Sequence, residues 1–139
     1  MLNYRVDARR IDSHGSLALA KEAEIVLDTD TAGRLDAFNP AELFLASLAA
    51  CMIKSIERVT PILRFELAGV EVSLQGFRQD APPRIVTIDY ELVIDTSEDD
   101  RRLELLHQNV RKYGTITNTV APTTRLNGTI RRKSEATGS

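Results

Sequence analysis

The sequence predicts an α+β fold with the element order β-β-β-α-β-β-α-β. Three observations lead to it. Apolar and polar residues alternate along strand-length runs in two separate blocks, near the N-terminus and between Gly69 and Ile94. Each block is followed by one segment with helical spacing. Short turn sequences, "DSHGS" and "QDAPPR", join strands in the manner of antiparallel hairpins. Hairpins with segregated helices define the α+β class.

The elements follow in order. Tyr4, Val6 and Ala8 alternate with Arg5 and Asp7, so residues 3–11 read as a strand. Two short strands follow at Leu17–Ala20 and Glu24–Leu27, and "DTDTAGRLDAFN" is a long polar connection. The first helix opens on three coincident signals: Asn39 as N-cap, Pro40 at the first helical position, and Glu42 completing a capping box. It is expected to run to about Val59, with Pro61 as the stop. In "GVEVSLQGF", Val70, Val72 and Leu74 share a face; in "IVTIDYELVI", Val86, Ile88, Tyr90, Leu92 and Ile94 do. Ser97 is expected to cap the second helix, with Glu98, Asp99 and Asp100 in its first turn, where the helix dipole favours anions. Leu103, Leu106, Val110 and Tyr113 mark its apolar face and Gly114 its end. A last strand covers Arg125–Arg132, and "KSEATGS" reads as a frayed tail.

The 139 residues suit a single domain, 1–139, with no repeats and no internal linker. The net charge of -2, from 18 basic and 20 acidic residues, gives no sign of a nucleic-acid or membrane surface. Three Tyr, four Phe and no Trp leave few rings to stack on bases. No signal-peptide pattern is seen, and no apolar run approaches the roughly 20 residues of a membrane span. One cysteine excludes an internal disulfide and points to a reducing, cytoplasmic setting.

The first helix is unusual in being apolar around most of its circumference, from Leu43, Phe44 and Leu45 to Met52, Ile53 and Ile56. Such a helix must be buried on all sides, and two small sheets from one short chain would struggle to wrap it. A second copy of the chain would supply the cover, which makes a homodimer the economical expectation.

Cys51 lies on that helix with Ser47, Leu48, Lys54 and Ser55 as its helical neighbours. Two readings stay open. In one, the Lys54 ammonium, one turn away, stabilises a nucleophilic thiolate. In the other, Cys51 is a small hydrophobe in a tightly packed helix pair. Glu42 likewise has two roles open to it, an acidic partner for a pocket arginine or simply the cap. His107 lies on the apolar face of the second helix, as a base for the thiol or as a half-buried histidine with one satisfied nitrogen; His14 sits in a turn, open to solvent. One cysteine and two distant histidines do not make a zinc set, and the seven glycines form no phosphate-cradling pattern, so no metal and no cofactor are expected.

"NPAELFLASLAAC" resembles the "NPEELxxAAxAAC" segment of the OsmC/Ohr family of hydroperoxide-reducing proteins, and "VRKYGTITNTV" resembles that family's second motif, where Cys-Pro opens a run like "CPVSNAL". The resemblance implies an intertwined homodimer whose central helices are wrapped by antiparallel sheets of both subunits. It also implies a two-cysteine chemistry, in which a reactive thiol becomes a sulfenic acid, a resolving thiol closes a disulfide, and an external dithiol reduces it. Carried over, the reactive position is Cys51 and the resolving position is Gly114, with Thr115 in place of the proline. The family's helix-start glutamate falls at Ala41, one residue before Glu42. Its activating arginine lies in the N-terminal loops, where Arg9, Arg10 and Arg34 are the candidates.

Three functional readings result. The first is a peroxidase-like enzyme that reduces organic or hydrogen peroxides through Cys51 alone, recycled by an external thiol. The second is a non-catalytic dimer that binds a small apolar ligand. The third is a purely structural or interaction role.

Overall fold

The computed structural model describes residues 1–134. The chain forms two compact units, residues 1–44 and residues 45 onward.

The first unit is an antiparallel three-stranded sheet of β1 (Asp7–Asp12), β2 (Gly15–Ala20) and β3 (Ala23–Asp28), in that order. The first strand starts four residues later than its alternation suggests, because only residues from Asp7 onward pair with β2. The β1–β2 turn is closed by the Asp12 carboxylate, which accepts from the backbone N–H groups of His14 at 2.8 Å and Gly15 at 3.2 Å. The polar connection after β3 is ordered by the buried Asp28 carboxylate, which accepts from the N–H groups of Asp30 and Arg34, both at 3.1 Å.

Helix α1 (Pro40–Leu63) begins in this unit and continues into the second. Its start is as expected. Asn39 Oδ1 accepts from Glu42 N–H at 2.8 Å, and Glu42 Oε1 accepts from Asn39 N–H at 2.9 Å, a closed capping box. Its end is not. Pro61 lies inside the helix, in its last turn, where it removes the hydrogen bond to the carbonyl four residues back without ending the helix, and the chain turns only at Arg64. Arg64 takes the left-handed φ of 51°, its N–H reaches Pro61 O, and Phe65 N–H reaches Thr60 O at 2.9 Å. This is a Schellman ending with arginine where glycine is usual. The Arg102 guanidinium donates to the carbonyls of Leu63 and Arg64 and complements the helix's negative end.

The second unit adds β4 (Gly69–Gln79), β5 (Arg84–Asp95), α2 (Asp100–Tyr113), α3 (Thr115–Val120) and β6 (Arg125–Arg132). β4 and β5 form the expected antiparallel hairpin, and β6 pairs with β5 in parallel. The sheet is therefore mixed rather than antiparallel throughout, because two helices carry the chain back before β6 begins. The core lies here. Leu48, Met52, Ile56 and Val59 of α1 and Leu103, Leu106 and Val110 of α2 bury against Ile88, Tyr90, Leu92 and Ile94. These four β5 residues share the face that their alternation assigned to them, while Val86 is only half-buried.

Three details depart from the sequence reading. The α2 cap is Asp99, not Ser97: Asp99 Oδ1 accepts from Arg102 N–H at 2.9 Å. Ser97 instead donates its hydroxyl to Glu66 Oε1 at 2.6 Å, and only Asp100 of the expected acidic trio lies in the first turn. Gly114 does end α2, but with φ -75° and ψ 130°, an extended conformation open to any residue. A further short helix, α3, follows at once; every residue in it except Asn118 is β-branched, which conceals it from propensity. The expected tail at Lys133–Ser139 falls mostly outside the described residues.

Candidate functional site

Cys51 sits in the middle of α1, half-buried, with Met52 beneath it in the core. Its sulfur points at the backbone of Gly114, where α2 hands over to α3. A Cβ built on Gly114 would stand 2.9 Å from Cys51 Sγ and 2.9 Å from Thr117 Oγ1. Two elements far apart in sequence therefore meet at one thiol, one backbone position and one hydroxyl. Gly114 is itself buried, and the close approach is possible because it has no side chain.

Thr117 is the residue the sequence did not announce. It is 4% exposed, and its Oγ1 has no hydrogen-bond partner among the described residues. A buried hydroxyl left unpaired costs about 1–3 kcal/mol. Within a run of threonines nothing distinguishes it, and its importance comes from the turn at Gly114.

The other candidates are placed as follows. Lys54 and Arg58, on the flank of α1 that carries Cys51, are exposed, while Ser55 is buried. Arg58 and Ile62 follow Cys51 along one stripe of the helix. With Val59, Leu63, Asn109 and Tyr113 they line an open groove of about 430 Å³. In the first unit, Glu42 is engaged in the capping box. Arg34 is held by Asp36 through Nε at 2.6 Å and Nη2 at 2.9 Å, and its Nη1 reaches His14 O at 3.4 Å. Arg10 lies exposed on β1, beside the equally exposed Arg9.

The histidines are both engaged. His107 is buried, and its Nε2 shares a 2.7 Å hydrogen bond with the Tyr90 hydroxyl. Burial pushes the His107 pKa down and the Tyr90 pKa up, so both stay neutral near pH 7. This is the histidine with one satisfied nitrogen, and that nitrogen is committed to the core. His14 is exposed, and its Nδ1 lies 2.7 Å from Asp30 Oδ2, which raises the histidine's pKa. Among the described residues no three His, Cys, Asp or Glu side chains are placed to share a metal ion, and no helix is long and apolar enough to cross a membrane.

Comparison with known proteins gives a consistent picture. The profile of the family described as OsmC-like protein matches residues 31–127. Among solved structures, an OsmC-like protein from Mycoplasma pneumoniae superposes with a TM-score of 0.85 at 17% identity, over 96% of this chain and 99% of that one. An organic hydroperoxide resistance protein OsmC from Legionella pneumophila gives 0.75 at 18% identity, over 94% and 98%. The organic hydroperoxide resistance protein OhrB of Bacillus subtilis gives 0.67 at 17% identity, also over 94% and 98%. At these identities the likeness shows the shared α+β fold. No curated protein matches the chain.

Proposed function

This chain belongs to the OsmC-like protein family, and from that premise we propose that it is a thiol protein that reduces organic or hydrogen peroxides through Cys51 alone. The observation that carries the reading is the placement of the sulfur. Cys51 Sγ faces position 114, where the family resemblance puts a resolving cysteine and where this chain has glycine. Two of the similar structures are organic hydroperoxide resistance proteins, which supports the same chemistry.

In this reading the Cys51 thiolate attacks one peroxide oxygen and becomes a sulfenic acid. With no second cysteine in the chain, an external thiol must remove that oxygen. Lys54 is the nearest cation in sequence on the same helix flank and is proposed to favour the thiolate. Arg10 and Arg34 are weaker candidates, since Arg34 is already paired with Asp36. Glu42 acts as a helix cap rather than as an arginine's partner. A reducing compartment such as the cytoplasm would suit a lone thiol. The protein is proposed to work as a homodimer and to bind neither nucleic acid nor membrane.

The second reading is a ligand-binding dimer without turnover. The groove beside Ile62, Leu63 and Tyr113 favours it, because an apolar molecule could lie along the same stripe as Cys51. One experiment separates the two. Native protein is given hydroperoxide with an excess of a small thiol, and peroxide loss is followed over many equivalents. Sustained consumption that vanishes in Cys51→Ser supports the peroxidase. Alkylation of Cys51 only after unfolding, with no consumption, leaves the binding role.

A further inference from the structure

The groove at the C-terminal ends of α1 and α2 carries a cation, Arg58, without a partner among the described residues, and we infer that the groove binds a free monocarboxylate with an apolar chain. This site belongs to the second, ligand-binding reading of the protein, on which the inference rests, and it needs no reaction at Cys51.

The lining side chains come as three pairs, each four positions apart on one helix face. Arg58 pairs with Ile62 and Val59 with Leu63 on α1, and Asn109 pairs with Tyr113 on α2. Val59 is buried, while Ile62 is 75% and Tyr113 53% exposed. The walls therefore offer apolar surface that a ligand's chain would remove from water. The groove's volume of about 430 Å³ falls in the range of small-molecule sites.

Charge sets the other end of the ligand. No lining residue is acidic. Arg34, Arg102, Arg131 and Arg132 are each paired with a carboxylate, and Arg58 is not. Glu57, its neighbour in sequence, points about 100° away around the helix. The exposed guanidinium is thus free to meet a carboxylate with two parallel N–H···O bonds. Asn109 Nδ2 donates to Leu105 O at 2.9 Å, which uses one of its two N–H groups and leaves the other for a ligand oxygen. A second cation stands close by, with Lys112 Nζ 5.2 Å from the centre of the Tyr113 ring.

The negative ends of the two helices would repel an anion, but both are already answered. Arg102 donates to the carbonyls of Leu63 and Arg64 at the end of α1, and Asn118 Nδ2 donates to Lys112 O at the end of α2. Arg58 also lies more than a turn before Leu63, where the effect of the helix end has faded.

The test titrates the folded protein by calorimetry with octanoate and, in parallel, with uncharged octan-1-ol, which has the same chain length. Octanoate is expected to bind saturably and about ten-fold more tightly than the alcohol. Its binding should be about ten-fold weaker in Arg58→Gln, and intermediate in Arg58→Lys, which keeps the charge and loses the fork. Equal binding of acid and alcohol, or wild-type affinity for octanoate in Arg58→Gln, overturns the carboxylate class while leaving a ligand groove in place. Absence of saturable binding of either compound overturns the groove as a ligand site and the ligand-binding reading with it. If, in addition, Ile62→Glu lowers the dimer fraction in sedimentation, the groove belongs to a second copy of the chain, and the inference is overturned in favour of that occupant.

Discussion

At the scale of single residues, the meeting of Cys51 with position 114 makes a sharp prediction. The backbone at Gly114 is extended, so a side chain meets no conformational penalty there. A disulfide with an S–S bond of about 2.05 Å places each Cβ about 3 Å from the opposite sulfur. The Cβ of a residue at 114 would stand 2.9 Å from Cys51 Sγ. Thr117, whose Oγ1 is 2.9 Å and Cβ 3.3 Å from that point, must yield slightly. Gly114→Cys is therefore expected to form an intramolecular disulfide with Cys51, seen as a mass lower by two hydrogens and loss of both free thiols in thiol titration. Two titratable thiols after mild oxidation would show that the sulfur faces elsewhere. Cys51 on a helix and Glu42 as a cap were legible in the sequence, and the family resemblance named Gly114 as the counterpart position of Cys51. Thr117 was not legible, because its place beside position 114 depends on the turn there, and no local pattern encodes it. Arg34 was legible as a candidate but not in its pairing with Asp36, which depends on how the loop after β3 folds on the buried Asp28.

At the scale of elements, helix boundaries follow hydrogen-bond closure more closely than composition. Asn39 and Glu42 satisfy one another's backbone N–H groups, and both signals lie within four residues, so the start of α1 could be read directly. The start of α2 holds Ser97, Asp99 and Asp100, all of capping type, and the cap is Asp99 because Ser97 is drawn to Glu66 on a different segment. Asn39→Ala and Asp99→Ala are each expected to cost about 1 kcal/mol. Ser97→Ala should cost less, since its hydroxyl serves an exposed link. Thermal melts of the three variants decide this, and a larger loss for Ser97→Ala than for Asp99→Ala would move the cap back to Ser97. The strands were legible because alternation survives in any context that buries one face; β5 shows it in Ile88, Tyr90, Leu92 and Ile94. The parallel pairing of β6 and the helix α3 were not, since both depend on where the chain goes after Gly114 rather than on the local pattern.

At the scale of the whole molecule, the unburied side of α1 calls for a partner. One stripe of the helix, Leu48, Met52, Ile56 and Val59, is sunk in the core. The opposite stripe should be polar in a helix that ends at water. Instead it carries Ala46 and Ile53, both half-buried, and the exposed Ala50, with Lys54 and Glu57 as its charges. Ile62 nearby is 75% exposed. In the first unit Ile25 is 48% and Val26 45% exposed, on opposite faces of β3, with Leu35 and Phe38 also open. Single exposed apolar residues are ordinary, but a helix face of small apolar side chains favours close approach of another helix. A second copy of this chain would supply such a helix without needing any other partner. Sedimentation at micromolar concentration is expected to give a dimer, and the melting temperature should rise with protein concentration, because association stabilises the folded state by mass action. Replacing Ala50 by Glu should weaken association if this stripe forms the interface, while the buried stripe keeps its own packing. A well-folded monomer at those concentrations, with a melting temperature independent of dilution, would show that α1 needs no second copy and that its open face serves something else.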